Sequence, residues 1–338
     1  GRLTRLISGT ASVFLLLTVL LLLLFYCNLA LGTRFFSPAK LFSLLSQGRG
    51  NDPAVSILFK IRLPRALMAL LLGGALAVSG FLLQTYFANP IAGPFVLGVS
   101  SGARLAVALC MMLFMAQNRA LSSFALVFAA FLGSLVSLGI LLAVSQRVRQ
   151  MAGLLVAGIM IGYICSAATD FLLSFAADSE IVSLHSWSQG SFSGMSLAQV
   201  RTATVLIGIS AFALLFLAKP LAAVQLGESY AESLGVNVRR MRSALIILAS
   251  LLAATVTAFA GPVSFVGVAS PFLIQSLLKS NKPLLVLPAS FLGGAVFCLA
   301  SDLIARTAFQ PTELALSTVT SFFGAPIVLW LLVKRRGK

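Results

Sequence analysis

The chain has 338 residues, of which 59% are hydrophobic and only 9% are charged, and its mean hydropathy is +1.04. A soluble domain carries about a quarter charged residues, so this composition excludes an ordinary soluble protein and predicts helices that lie in a bilayer. The 24 Lys and Arg against 8 Asp and Glu do not indicate nucleic-acid binding, because the cations fall between apolar runs and form no continuous basic face.

Apolar segments long enough to cross a membrane recur along the whole chain. A bilayer core needs about 20 apolar residues per helix. The first segment follows a basic start, but we expect a retained helix rather than a cleaved signal peptide, since the run is long enough to span and lacks a small-residue cleavage site. The sequence predicts an all-α integral membrane protein, a single domain over 1–338, with ten spans at 11–31, 65–86, 94–116, 121–145, 151–176, 199–218, 241–260, 263–279, 284–305 and 313–333.

The distribution of Lys and Arg predicts how these spans are oriented. With ten spans and the amino terminus inside, the inner ends carry more cations than the outer ends, which is typical of cytoplasmic loops. Both termini are therefore expected in the cytoplasm. The least certain division is 241–279, where Gly261 and Pro262 must break one apolar stretch into two spans.

Three segments between the spans are long enough to have a role of their own. Residues 32–64 and 177–198 are expected outside, and residues 220–240 inside. In the inner segment, Gly227 and Gly235 bracket a short helical stretch with exposed apolar residues, which is typical of a docking surface. A plain connector is the alternative.

Two glycine-containing stretches resemble one another. Residues 93–100 read GPFVLGVS and open the third span, while residues 261–268 read GPVSFVGV and open the eighth. These spans run in opposite directions, so the similarity indicates an inverted internal repeat. The first stretch also approaches a phosphate-binding loop, but Val99 stands where that loop needs lysine, so no nucleotide is expected there.

Metal and cofactor sites are not expected in this chain. The single His185 cannot assemble a metal site alone, and we expect it in a mobile external loop. The cysteines lack a Cys-x-x-Cys pair and are expected to be small core residues, namely Cys27, Cys110, Cys165 and Cys298.

Six motifs, in order along nearly the whole chain, resemble the permeases of the iron-chelate, haem and cobalamin branch of ATP-binding-cassette importers. The resemblance implies a bacterial inner-membrane subunit that is not an enzyme and that pairs with a second copy or a paralogue around a central pathway. It also implies two ATPase subunits, which hold ATP and Mg, and a substrate-binding protein. The motifs are RLPRALMALLLGGALAVSGFLLQ, ANPIAGPFVLGVSSGA, LLVAGIMIG, LGESYAESLGV, AGPVSFVGVASP and TELALSTVTSFFGAPIVLWLL.

The same resemblance assigns roles to three groups of residues. The resemblance implies that arginines at the outer mouth bind the substrate-binding protein, although pairing with Asp302 or with lipid headgroups is the structural alternative. It also implies that Asn89 and Ile91 close the inner end of the pathway as a gate. The alternative is that this turn only ends one helix and starts the next. The docking arginines are Arg62, Arg65 and Arg306, and the ATPase coupling loop comprises Gly227, Glu228, Tyr230, Ala231, Leu234 and Gly235.

One departure from the family pattern concerns the eighth span. Relatives usually carry a histidine and an arginine where this chain has Phe272 and Gln275. A different cargo or a nonidentical permease partner would each explain the change. The sequence does not choose between these, nor among an iron chelate, haem and a cobalamin-like cargo.

Two rival functions remain open at the level of sequence. An ion-driven secondary transporter would use carboxylates inside the membrane, and Asp170 and Asp302 are the acids well within the spans. Asp302 lies four residues before Arg306, however, so we expect an ion pair between them. An intramembrane enzyme would need a catalytic constellation, and none is recognisable.

Overall fold

The computed structural model describes residues 2–48, 51–117, 119 and 122–336, and every regular element in these residues is helical. The helices are α1 (Arg2–Ala30), α2 (Pro38–Gln47), α3 (Pro53–Ile57), α4 (Leu63–Tyr86), α5 (Val99–Ala116), α6 (Ser123–Ser145), α7 (Met151–Leu173), α8 (Asp178–Ser188), α9 (Leu197–Gln225), α10 (Glu228–Ser233), α11 (Val238–Ala260), α12 (Val266–Leu278), α13 (Pro283–Thr307) and α14 (Leu316–Arg336). A π-helical turn, Leu58–Arg62, joins α3 to α4.

All ten predicted spans are helical, but the eighth is shorter than expected. Nine helices in the described residues are long and apolar enough to cross a membrane, namely α1, α4, α5, α6, α7, α9, α11, α13 and α14. The tenth, α12, has 13 residues and a length of about 20 Å at 1.5 Å per residue. The break at Gly261 was predicted, yet the backbone stays irregular until Val266, so α12 does not cross a bilayer core alone.

Helix α4 is the central helix of the bundle. It packs against α9, α11, α12 and α13, and three quarters of its residues are buried. Glycines allow backbones to meet there: a Cβ added to Gly80 would lie 1.6 Å from the carbonyl oxygen of Gly267, and one added to Gly294 would lie 2.2 Å from that of Gly73. Close contact through small residues is typical of helices in a membrane, where no hydrophobic effect drives the helices together.

The two similar stretches meet inside the bundle. Before α5, Pro94–Leu97 forms a 3₁₀ turn, and Gly98 has a φ of 76°. Before α12, Phe265 has a φ of 65°. A Cβ added to Gly267 would lie 3.0 Å from Cδ of Pro94, so the two irregular segments are in contact. Each opens its helix through a left-handed residue, which supports the predicted repeat at the local level.

The segments between the spans form helices and lie at both ends of the bundle. Residues 177–198 form α8, which carries His185, so the mobile loop expected for this histidine is instead helical. A backbone hydrogen bond from Ser317 to Gln189 anchors the end of α8 to the start of α14. At the other end, called the α10 end below, α9 continues through Pro220 to Gln225, so the inner loop predicted for 220–240 begins six residues later, at Leu226.

Candidate functional site

Helix α10 presents two large apolar side chains to solvent. Gly227 and Gly235 have φ values of 123° and 83°, which set the chain directions into and out of α10 and favour glycine. Tyr230 is 49% exposed and Leu234 is 59% exposed. These residues form a small apolar surface that nothing in the described chain covers.

The placement predicted for Ala231 at this surface is wrong. Ala231 is fully buried against the bundle, while Tyr230 and Leu234, which caps the end of α10, are exposed. Its amide donates to the carbonyl of Gly227, and its carbonyl accepts from Val236 at 3.0 Å. Ala231 therefore holds α10 in place and is not available to a partner.

A charged contact fixes α10 to the neighbouring span. Glu228 Oε1 lies 3.5 Å from a guanidinium nitrogen of Arg242 on α11. The guanidinium carbon of Arg242 also lies 5.8 Å from the ring centroid of Tyr86 at the end of α4. Through these contacts, α10 is linked to α11 and to the central helix.

The turn after α4 carries the two predicted gate residues. The side-chain oxygen of Asn89 accepts a hydrogen bond from the amide of Ile91 at 3.0 Å, which closes a local turn. Gln84 holds this turn against α12, since its amide donates to the carbonyls of Pro90 at 2.9 Å and Val268 at 3.0 Å. Ile91 is exposed at the tip, whereas Asn89 shapes the turn.

Two adjoining cavities at the α10 end are lined by the two residues that depart from the family pattern, Phe272 and Gln275. The smaller, of about 220 Å³, borders the gate turn at Asn89, and the larger, of about 500 Å³, extends toward Trp330 on α14. Gln275 lines both cavities. Phe272 lines the larger one but is itself largely buried. Gln275 is thus the departure that a molecule in these cavities would meet.

The three arginines predicted to dock a binding protein lie near one another at the end of the bundle opposite α10. The surface position expected for Arg62 is wrong, because this residue is only 5% exposed. Its guanidinium donates to the carbonyls of Leu29 at 2.9 Å and Ala30 at 3.2 Å and stacks 4.4 Å from the ring of Phe36. Arg62 therefore ties the end of α1 to the start of α4.

Arg65 forms a two-pronged ion pair with Asp302. Its Nε and Nη2 donate to the two carboxylate oxygens, each at 2.9 Å, and Nη2 also contacts the exposed carboxylate of Glu313. This paired arrangement is the strong form of a guanidinium–carboxylate interaction. The pair joins α4 to α13.

The ion pair predicted between Asp302 and Arg306 is wrong, since Arg65 occupies that carboxylate. Arg306 instead donates to the carbonyls of Asn28 and Leu31, the latter at 3.1 Å, and is partly exposed. Helical spacing allowed the predicted pair, but α4 brings a guanidinium with better geometry. Docking by Arg65 and Arg306 stays a prediction and would require partner contacts beyond these internal ones.

The chain matches one family model over most of its length. The model describes the FecCD transport family and covers residues 20–334. The chain is 36% identical over 331 residues to the hemin transport system permease protein HmuU of Yersinia pestis, covering 97% of this chain and 98% of that protein. It is 34% identical over 320 residues to the vitamin B12 import system permease protein BtuC of Citrobacter koseri, covering 95% of this chain and 93% of that protein.

A solved structure has the same fold. It is described as an inward-facing conformation of a metal-chelate type ABC transporter, and it superposes with a TM-score of 0.84 at 28% identity, covering 96% of this chain and 99% of that chain. The sequence resemblance and the structural one therefore agree along nearly the whole length. The chain belongs to the FecCD transport family and is a multi-pass membrane permease of the ABC type.

Proposed function

We propose that this chain imports an iron chelate, haem or a cobalamin-like cargo as the permease of an ATP-driven transporter in the bacterial inner membrane. Two ATPase subunits would bind at the α10 end, which is then cytoplasmic together with both termini. A substrate-binding protein would dock at the opposite end, and a second permease copy or a paralogue would complete the pathway. ATP and Mg would bind only in the ATPase subunits, and this chain would carry no cofactor or catalytic group.

The exposed apolar surface of α10 is the observation that carries this proposal. Tyr230 and Leu234 are exposed, while Ala231 is buried against the bundle and Glu228 contacts Arg242 of α11. A helix that binds a partner through its exposed apolar face can transmit a displacement of that partner to the spans that the helix contacts. The contacts of Glu228 with Arg242, and of Arg242 with Tyr86, would carry such a displacement to α11 and α4.

The secondary-transporter alternative finds less support in the carboxylates. Asp302 is buried and engaged by Arg65, so it is not a free proton carrier. Asp170 is exposed near the end of α7 and is not enclosed in a pathway within the described chain. A proton or sodium relay needs acids that line the route of transport.

Uptake by vesicles distinguishes the two functions. We expect proteoliposomes holding the permease and its ATPase to accumulate cargo only with binding protein outside and ATP inside. The matched control is an ATPase variant that binds ATP without hydrolysing it, which should abolish uptake. Uptake that follows a proton or sodium gradient and ignores ATP would contradict the proposal.

The exposed tip of the gate turn gives a second prediction. If Ile91 closes the inner end of the pathway, Ile91→Cys on two permease copies should crosslink in one nucleotide state and lose at least about tenfold of that yield in another. Ala88→Cys, exposed in the same turn, serves as the control for general proximity. Crosslinking of Ile91→Cys that ignores the nucleotide state would leave the turn with a structural role only.

A further inference from the structure

A cavity of about 360 Å³ lies beside α10, separate from the two cavities at the gate turn. It is formed by the end of α6, the connection that follows, α10 and the first turns of α11. Guanidinium groups outnumber carboxylates in its wall, because three arginines face two glutamates. These residues are Arg149, Arg239, Arg242, Glu228 and Glu232.

Arg242 has donor capacity that the protein does not use. Its side chain is 16% exposed, and its contact with Glu228 at 3.5 Å is longer than a charge-assisted hydrogen bond. Its Nε is buried and has no hydrogen-bond partner among the described residues. The charge of Arg242 is therefore only partly compensated within the protein.

The other two arginines stand at the solvent-exposed rim. Arg239 donates to the neutral side-chain oxygen of Gln146 at 3.1 Å. Neither Arg149 nor Arg239 forms an ion pair with any residue that the structure describes. Their charges therefore act outward on a molecule that approaches the α10 end.

We propose that this cavity receives a carboxylate side chain, Asp or Glu, of the partner ATPase. The inference rests on the proposed function and adds a charged contact to the apolar one on α10. The Arg242 guanidinium, which lines the cavity and holds Glu228 only at 3.5 Å, would bind the carboxylate, and Arg149 and Arg239 would attract it during approach. Glu228 and Glu232 of α10 line the cavity, so a protein that contacts the apolar surface of α10 would also reach it.

The salt dependence of ATPase binding tests the inference. In nanodiscs of neutral lipid, Arg149→Glu combined with Arg239→Glu should weaken ATPase binding at least about tenfold at low salt, mainly through slower association. The dependence of affinity on salt should also become shallower, because fewer opposite charges meet. Lys279→Glu combined with Lys282→Glu makes the same charge change away from the cavity and should alter affinity less than about threefold.

A crosslink identifies the occupant directly. Arg149→Lys combined with Arg239→Lys keeps the charge and supplies amines, which a carbodiimide joins to a nearby carboxylate. We expect an amide bond to one ATPase peptide that contains Asp or Glu, and changing that acid to Arg should restore binding to the double-Glu permease.

Four results would overturn the inference in distinguishable ways. Native affinity and salt dependence in the double-Glu permease, or crosslinks only to Glu228 and Glu232, would refute the carboxylate contact alone. If the double-Glu permease keeps native ATPase affinity but retains less phosphatidylglycerol than the native permease after extraction from mixed-lipid membranes, the cavity binds a lipid headgroup instead. Failure of the native permease to bind any ATPase would refute the proposed function as well.

Discussion

Replacing Gly80 with alanine is expected to destabilise the permease by at least about 4 kcal/mol, a cost in the range that single substitutions reach only in special positions. The added Cβ would lie 1.6 Å from the carbonyl oxygen of Gly267, and the obstructing atom belongs to the backbone. No rotamer change relieves such a clash, so α4 and α12 would have to separate. Because α4 is the central helix, the separation would disturb the packing of the whole bundle.

Thermal melting of the purified permease in detergent checks this expectation against graded controls. Gly267→Ala meets its nearest neighbours at 3.0 and 3.2 Å and should cost less than Gly80→Ala. Gly208 in α9 has no atom within 4 Å of the added Cβ, so Gly208→Ala should be neutral or slightly stabilising. A Gly80→Ala permease that melts within about 2 °C of the native protein would show that the two helices are not packed backbone to backbone.

The number and order of spans follow from the sequence because the bilayer imposes a length on each apolar run. The exact first and last residues of the spans do not follow from the sequence, because they depend on contacts between helices. Pro220 marks the end of a span by composition, yet α9 passes through it. At the other break, residues 261–265 contact α8 and α14: a Cβ added to Gly261 would lie 2.6 Å from the carbonyl oxygen of Trp187, and the Ser317 hydroxyl donates to the carbonyl of Pro262 at 3.1 Å. The late start of α12 is thus accompanied by tertiary contacts that the sequence pattern does not show.

The helices and turns that carry the candidate residues were predictable from the sequence, but the orientations of their side chains were not. The glycines around α10 predicted a short helix, but no local pattern stated that Ala231 faces the bundle. Arg62 and Arg65 were predicted together at the mouth of the second span, and both are there. A π-helical turn that ends at Arg62 precedes α4. The buried guanidinium of Arg62 donates to the carbonyl of Leu29, whereas that of Arg65 pairs with Asp302. Such orientations depend on tertiary packing.

The cavity beside α10 could not be predicted from the sequence for a related reason. Its arginines come from two separate regions, with Arg149 after α6 and Arg239 and Arg242 on α11. In the linear sequence they count as cytoplasmic cations that set topology. Only the fold brings them around the same cavity as Glu228 and Glu232, where their excess charge can act on a partner.

Leu234→Asp is expected to remove ATP-driven uptake while leaving the permease folded. Leu234 is 59% exposed at the end of α10, so a polar side chain costs the isolated protein little. In the complex, the change would lose the burial of a leucine, worth about 1.5–3 kcal/mol, and would add the cost of desolvating a carboxylate. A total of about 3 kcal/mol or more corresponds to at least a hundredfold loss of ATPase affinity.

Affinity of the ATPase for the permease in nanodiscs, measured together with uptake and thermal melting, separates coupling from folding. Leu45→Asp changes a comparably exposed leucine on α2 at the opposite end and should leave ATPase affinity unchanged. Ala231→Asp should lower the melting temperature instead, because that position is fully buried. If Leu234→Asp retains native affinity and uptake, α10 is a connector, and the ATPase must reach the spans through another surface of the α10 end.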